Sequence, residues 1–101
     1  MKSTEFDERV KIALLGEIPP TLRFLYAYLE NNIFYFNAVF IDDAENEHLE
    51  CARTAATEIE AGLPKDIEFE ELIEKDSKKP WKVNDGKGLF YLRYGELSGY
   101  D

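Results

Sequence analysis

The order of apolar and polar positions along the chain passes twice from a helical period to a strand period. In residues 4–15, Phe6, Val10, Ala13 and Leu14 fall on one face at helical spacing. Thr4 and Asp7 have capping-box spacing, Gly16 supplies a stop, and Pro19-Pro20 forbids continuation. Residues 21–30 and 33–42 are rich in aromatic, aliphatic and β-branched side chains and predict two strands. Asn31-Asn32 between them suits a two-residue hairpin turn, because Asn tolerates positive φ. That turn predicts a register. Leu29 opposes Phe34, Ala27 opposes Phe36 and Leu25 opposes Ala38 on one side, while Tyr28 opposes Tyr35, Tyr26 opposes Asn37 and Phe24 opposes Val39 on the other. The first side is purely apolar and reads as core. The second carries tyrosine hydroxyls and an amide, and is the best candidate for a working surface.

The pattern then repeats. Residues 42–61 predict a second helix with Leu49, Ala52, Ala55, Ala56, Ile59 and Leu63 in one stripe. Asp42 and Glu45 have capping-box spacing, and Gly62 with Pro64 ends the helix. Residues 66–75 alternate Ile67, Phe69 and Ile73 against Glu68, Glu70 and Glu74, as a half-exposed strand does. A polar connection over 77–87, with an Asp85-Gly86 turn signal, leads to a last strand at 88–94. These elements predict an α+β domain of order α-β-β-α-β-β. Its sheet is expected to be four-stranded and largely antiparallel, made of two β-hairpins, with two helices on one face. The stripe Leu49, Ala52, Ala56, Ile59 should meet the core side of the first hairpin. One domain is expected over residues 1–101, with the core at 4–94 and a loose tail at 95–101.

Charge changes the picture more than composition does. Of 101 residues, 21 are Asp or Glu and 12 are Lys or Arg, a net charge of −9. Thirteen of the acids lie between Asp42 and Asp76, against Arg53, Lys65 and Lys75. Apolar content of 45% is too rich for a disordered acidic tail. The charge therefore sits on a folded surface, which repels nucleic acid and anionic membranes and attracts cationic partners. Cys51 is alone, which rules out an intrachain disulfide and fits a reducing cytoplasm. The longest apolar stretch, near residues 34–41, falls far short of the ~20 residues of a membrane span.

Candidate chemistry is sparse. His48 has Glu45 and Cys51 within one helical turn, yet nothing else in the chain has ligand spacing, so a structural role is preferred and no metal is expected. Glu68, Glu70, Glu71 and Glu74 offer paired carboxylates, but alternating acids on a strand read first as its solvated face. The acidic run from Asp42 to Glu47 lacks the glycine and downstream acid of a calcium loop. Phosphate-binding loops and nucleophile elbows are missing, and Lys78, Lys79, Lys82 and Lys87 around Trp81 read as a solvated loop. No catalytic residue and no cofactor is expected. Ile12 and Leu15 project off the main apolar face of the first helix, which implies either burial on two sides or contact with another chain.

Three stretches carry a resemblance: Ala13-Leu14-Leu15-Gly16-Glu17-Ile18-Pro19-Pro20-Thr21-Leu22-Arg23, then Ala55-Ala56-Thr57-Glu58-Ile59 after the aromatic hairpin, then Phe90-Tyr91-Leu92-Arg93-Tyr94-Gly95-Glu96. In this order they resemble small acidic bacterial immunity proteins of contact-dependent growth inhibition systems. The resemblance implies a non-enzymatic, cytoplasmic protein that binds and blocks the C-terminal domain of a cognate toxin, often a nuclease with a basic cleft. Such families share no fixed binding residues. The residues expected to serve are therefore chosen on chemistry: Asp42, Asp43, Glu45, Glu47, Glu50, Glu68, Glu70 and Glu71 for charge complementarity, and Tyr26, Tyr28 and Tyr35 as aromatic anchors. The alternative is a general interaction module or a homodimer that pairs through the tyrosine side.

Overall fold

Six elements follow in the expected order: α1 (Ser3–Leu14), β1 (Leu22–Glu30), β2 (Ile33–Phe40), α2 (Asn46–Ala61), β3 (Glu68–Lys75) and β4 (Leu89–Leu92). The computed structural model describes residues 3–16, 18–81, 88–93 and 96. The placement of Phe6 and of the Thr4–Asp7 cap, the Asp85-Gly86 turn, Lys82, Lys87 and most of the expected tail lie outside what can be described.

The β1–β2 hairpin forms in the predicted register. Leu25 pairs with Ala38, Ala27 with Phe36 and Leu29 with Phe34, and Tyr26 and Tyr28 pair with Asn37 and Tyr35. Asn31 and Asn32 take φ of 54° and 62°, the left-handed pair that a primed two-residue turn requires. The core side meets α2 as expected. Leu25, Ala27, Phe34, Phe36, Ala38 and Phe40 form one buried cluster with Leu49, Ala52, Ala55, Ala56 and Ile59 of α2 and with Val10, Ala13 and Leu14 of α1. Alanines at three of the five buried α2 positions let that helix approach the sheet closely. The α1 helix stops just before Gly16, whose φ of +78° few other residues adopt readily. It packs mainly on α2, and the Arg9 guanidinium lies against Gly62 at the α2 C-terminus. A cation there complements the helix dipole.

The second half of the sheet corrects the sequence reading. Strands β3 and β4 form no hairpin. The sheet order is β3-β2-β1-β4, so they lie at opposite edges. Strand β3 pairs parallel with β2 over its full length, Ile33 beside Glu68 through Phe40 beside Lys75. Strand β4 pairs antiparallel with β1. The reason is geometric. A 16-residue helix between β2 and β3 carries the chain back along the sheet, so β3 starts level with β2 and runs beside it. Since β1 opposes both β2 and β4, three strands run one way and β1 alone runs the other. After Lys75 the chain must cross back before β4 can begin.

The α2 boundary is also corrected. The helix starts at Asn46, not Asp42, and Glu45 is its N-cap in a reciprocal box with His48. His48 Nδ1 lies 2.9 Å from Thr21 Oγ1 and 3.4 Å from the Glu45 backbone N, so the ring closes the cap and ties it to the start of β1. Asp42 serves elsewhere. Its N–H donates to Ser77 Oγ at 2.7 Å, and its carboxylate accepts the Ser77 N–H at 3.1 Å.

Candidate functional site

With both helices on one side, the other sheet face is defined by Phe24, Tyr26 and Tyr28 of β1, Tyr35, Asn37 and Val39 of β2, and the outward positions of β3. The segment that returns from β3 toward β4 runs over part of this face. It leaves β3 at Asp76, whose N–H bonds the Phe40 carbonyl and whose carboxylate accepts the N–H groups of Lys78 and Lys79. It then lays Trp81 on Phe24, Tyr26 and Val39, with Leu89 and Leu92 of β4 completing a second small core. The Tyr26 hydroxyl donates to the Trp81 carbonyl. Tyr26 is 2% exposed and stands edge-on to Phe24.

A buried ion pair closes the same end. Arg23, at the bulge of β1, holds Glu96 bidentately at 2.8 and 3.1 Å, and gives a third bond to the Asp76 carbonyl at 2.6 Å. Arg93 adds a contact to Glu96 at 2.9 Å. Hydrogen bonds and charge from Arg23, with help from Arg93, hold the Glu96 carboxyl below its ordinary value. Glu96 lies in the segment read from sequence as a loose tail.

Beyond Tyr26, Tyr28 and Tyr35 are partly exposed among the described residues. Tyr28 and Tyr35 stack with ring centroids 5.0 Å apart and planes 26° apart. Tyr28 is also backed by Gly88, where any Cβ would sit 3.1 Å from the Tyr28 Cβ and 3.0 Å from the Ala27 carbonyl. Gly88 has φ of +81°, so this position needs glycine on both counts. The parallel register sets Glu70 beside Tyr35 and Leu72 beside Asn37. Asn37 fixes the joint by donating to the Leu72 carbonyl and to Glu74. Tyr28, Tyr35, Asn37, Glu70 and Leu72, with Glu71 at the strand edge, line a depression of about 410 Å³ whose most exposed apolar member is Leu72, at 52%.

The charges of β3 divide along the same line. Glu74, near the crossing segment, is paired with Lys79 at 2.9 Å. Glu68, Glu70 and Glu71 are exposed and belong to none of the ion pairs among the described residues, which join Arg23 and Arg93 to Glu96, Lys79 to Glu74 and Arg53 to Glu50. Of the residues expected to serve, the fold thus gathers Tyr28, Tyr35, Glu70 and Glu71, with Glu68 two positions along the strand. Tyr26 lies beneath the surface. Asp43, Glu47 and Glu50 are exposed around the start of α2, the layer on the opposite side of the sheet, and Glu50 is paired with Arg53. Asp42 and Glu45 are engaged in the turn and the helix cap. Asn37 was expected on this side for its amide, whereas Leu72 and the Arg23–Glu96 pair were not anticipated. The only cue to the last was a lone arginine within an otherwise apolar strand.

A second depression, about 740 Å³, lies between α1 and the β1–β4 edge, lined in part by Val10, Leu14, Leu15, Ile18 and Leu29. Ile12 and Leu15 are 62% and 76% exposed, so α1 is not buried on two sides. Among the described residues no group of His, Cys, Asp or Glu side chains converges to hold a metal ion, and no helix is long and apolar enough to cross a membrane.

The model of the MafI2 immunity protein family matches residues 9–95, most of the chain. The chain belongs to that family, and its resemblance to bacterial toxin immunity proteins is borne out. No curated protein matches it significantly. An immunity protein implies a toxin protein as its partner.

Proposed function

We propose that this MafI2-family immunity protein neutralises its toxin by stoichiometric contact rather than by catalysis. It acts in the cytoplasm on the C-terminal domain of a toxin delivered by a sibling cell, as in contact-dependent growth inhibition. The target surface is basic, as in the substrate cleft of a nuclease. The observation that carries this reading is the run of exposed acids on β3, Glu68, Glu70 and Glu71, which join none of the ion pairs among the described residues, beside an aromatic sheet face. An acidic surface occupies a site built for phosphates, and its field speeds encounter. Asp42, Asp43, Glu45, Glu47 and Glu50 contribute to that field from the other side of the molecule and act chiefly on the association rate. Titration calorimetry of the purified protein with the toxin domain encoded beside it should give a 1:1 complex, with loss of toxin activity and both chains recovered intact. A toxin that remains fully active in excess immunity protein removes the proposal.

One observation favours a second reading, self-association: the exposure of Ile12 and Leu15 next to the α1 groove. Sedimentation showing a monomer at high concentration would dismiss it.

A further inference from the structure

We infer that the depression between Tyr28, Tyr35 and β3 is a socket for a cationic side chain of the toxin, an arginine in the first place. The inference rests on the immunity reading above and adds where the toxin docks and by what chemistry.

Three features of the socket point to a guanidinium. The stacked rings of Tyr28 and Tyr35 present an aromatic surface that is already ordered, since Tyr28 is held between Tyr35 and the Gly88 backbone. Ordered aromatic surface costs little entropy on binding and attracts a planar cation. Glu70 and Glu71 line the same depression and belong to none of the ion pairs among the described residues. Leu72 adds an exposed apolar contact for the methylene stem. Arginine satisfies all three at once, because its plane stacks on a ring while its fork bonds a carboxylate.

The protein already performs this chemistry internally. The Arg23 guanidinium lies 5.2 Å from the centre of the Phe24 ring and is gripped by Glu96. The covered end of the face holds an arginine between an aromatic ring and a carboxylate. The open end has the ring and the carboxylate without the arginine.

A second copy of this chain fits the socket poorly. Pairing the face with itself would bring Glu68, Glu70 and Glu71 of each copy near the like charges of the other, at a net charge of −9 per chain. Like-charge juxtaposition opposes docking, whereas a basic partner relieves it.

The test is binding kinetics of the full-length protein and its toxin domain. Tyr28→Ala and Tyr35→Ala should each weaken binding by roughly 30-fold or more, mostly through faster dissociation, as hot-spot truncations do. Glu70→Gln should weaken it several-fold and Glu70→Arg far more. Glu58→Gln removes the same charge from the exposed side of α2 and should stay within about 2-fold of the parent. Thermal unfolding checks that each variant folds. Glu70→Arg, at an exposed strand position, keeps the test decisive if a tyrosine variant does not fold. Wild-type protein that fails to bind the toxin defeats the immunity reading itself. Wild-type binding with Glu70→Arg and the folded tyrosine variants unchanged overturns the socket alone. So does equal weakening by Glu70→Gln and Glu58→Gln, which would show net charge at work, or a self-dimer abolished by Tyr28→Ala.

Discussion

Tyr26 and Tyr28 are two residues apart on one strand and point to the same side of one sheet, yet one is sealed and the other is open. Around Tyr26 the ring, its hydroxyl and the nearby charges each meet a counterpart. Trp81 covers the ring, the Trp81 carbonyl takes the hydroxyl, Lys79 meets Glu74, and Arg23 meets Glu96. Around Tyr28 the same residue types stand without those counterparts among the described residues. The sheet does not cause the difference, since strand pairing continues through both halves. The path of the chain after β3 causes it. The segment from Asp76 to Trp81 reaches one end of the face and not the other. Stability and recognition are therefore expected to separate along a single strand, the covered half governing folding and the open half governing binding.

The strongest way to break that separation is at the buried ion pair. Arg23→Ala leaves Glu96 buried without its main partner and should cost about 3–5 kcal/mol in denaturant unfolding. Toxin affinity of the remaining folded fraction should stay near that of the parent, because Arg23 lies under the crossing segment. A large loss of affinity without a loss of stability would reverse the assignment. The pair also fixes the sign of a pH effect. Glu96 titrates below its ordinary value in the folded state. Its contribution is complete above the unfolded carboxyl value of about 4.3 and disappears as pH falls through the lower folded value. Acid unfolding curves of the parent and of Glu96→Gln should accordingly differ most near neutrality and converge at low pH. Parallel curves would show that the pair contributes no such linkage.

A smaller effect sharpens the comparison at single-atom scale. Tyr26→Phe removes the donor to a buried carbonyl and should destabilise by about 1–3 kcal/mol. Tyr28→Phe removes a hydroxyl from the open half and should change unfolding by less than about 0.5 kcal/mol. Equal losses at the two sites would mean that Tyr28 is sealed as well.

This division was only half visible in the sequence. Asn31-Asn32 fixed the hairpin register locally, because two left-handed residues leave one way to pair the strands. The alternation on β3 announced a half-exposed strand, but alternation does not say which neighbour a strand takes. The parallel partner follows from the return path of α2 and from the long passage between Lys75 and Leu89. Tyr26 and Tyr28 are indistinguishable by parity, and what separates them is Trp81, more than fifty residues away. Asp42 had the spacing of a helix cap. Its actual partner, Ser77, lies across the fold, and Glu45 with His48 met the same local rule three residues later. Arg23 and Glu96 both fall in stretches that carried the family resemblance, yet no local pattern links residues 73 apart. Local rules reach turns and caps. Contacts made by a chain that crosses its own sheet lie beyond them.

The finest distinction lies between two acids on one face of β3. Glu74 receives Lys79 at 2.9 Å and Asn37 at 3.2 Å, with both charged side chains about one-quarter exposed. Glu70 is exposed and takes part in none of the ion pairs found among the described residues. Its near neighbour on that face, Glu68, is also an acid. Glu74→Gln should therefore cost about 0.5–1 kcal/mol, the scale of a partly screened pair. Glu70→Gln removes repulsion without breaking a pair, so stability should be unchanged or rise by a few tenths of a kcal/mol. On toxin binding the order inverts, with Glu70→Gln weakening the complex and Glu74→Gln leaving it nearly intact. Urea midpoints and dissociation rates measured on the same two variants give both orders. If they run in the same direction, β3 carries one uniform acidic edge, and the crossing segment does not divide the face into a structural half and a binding half.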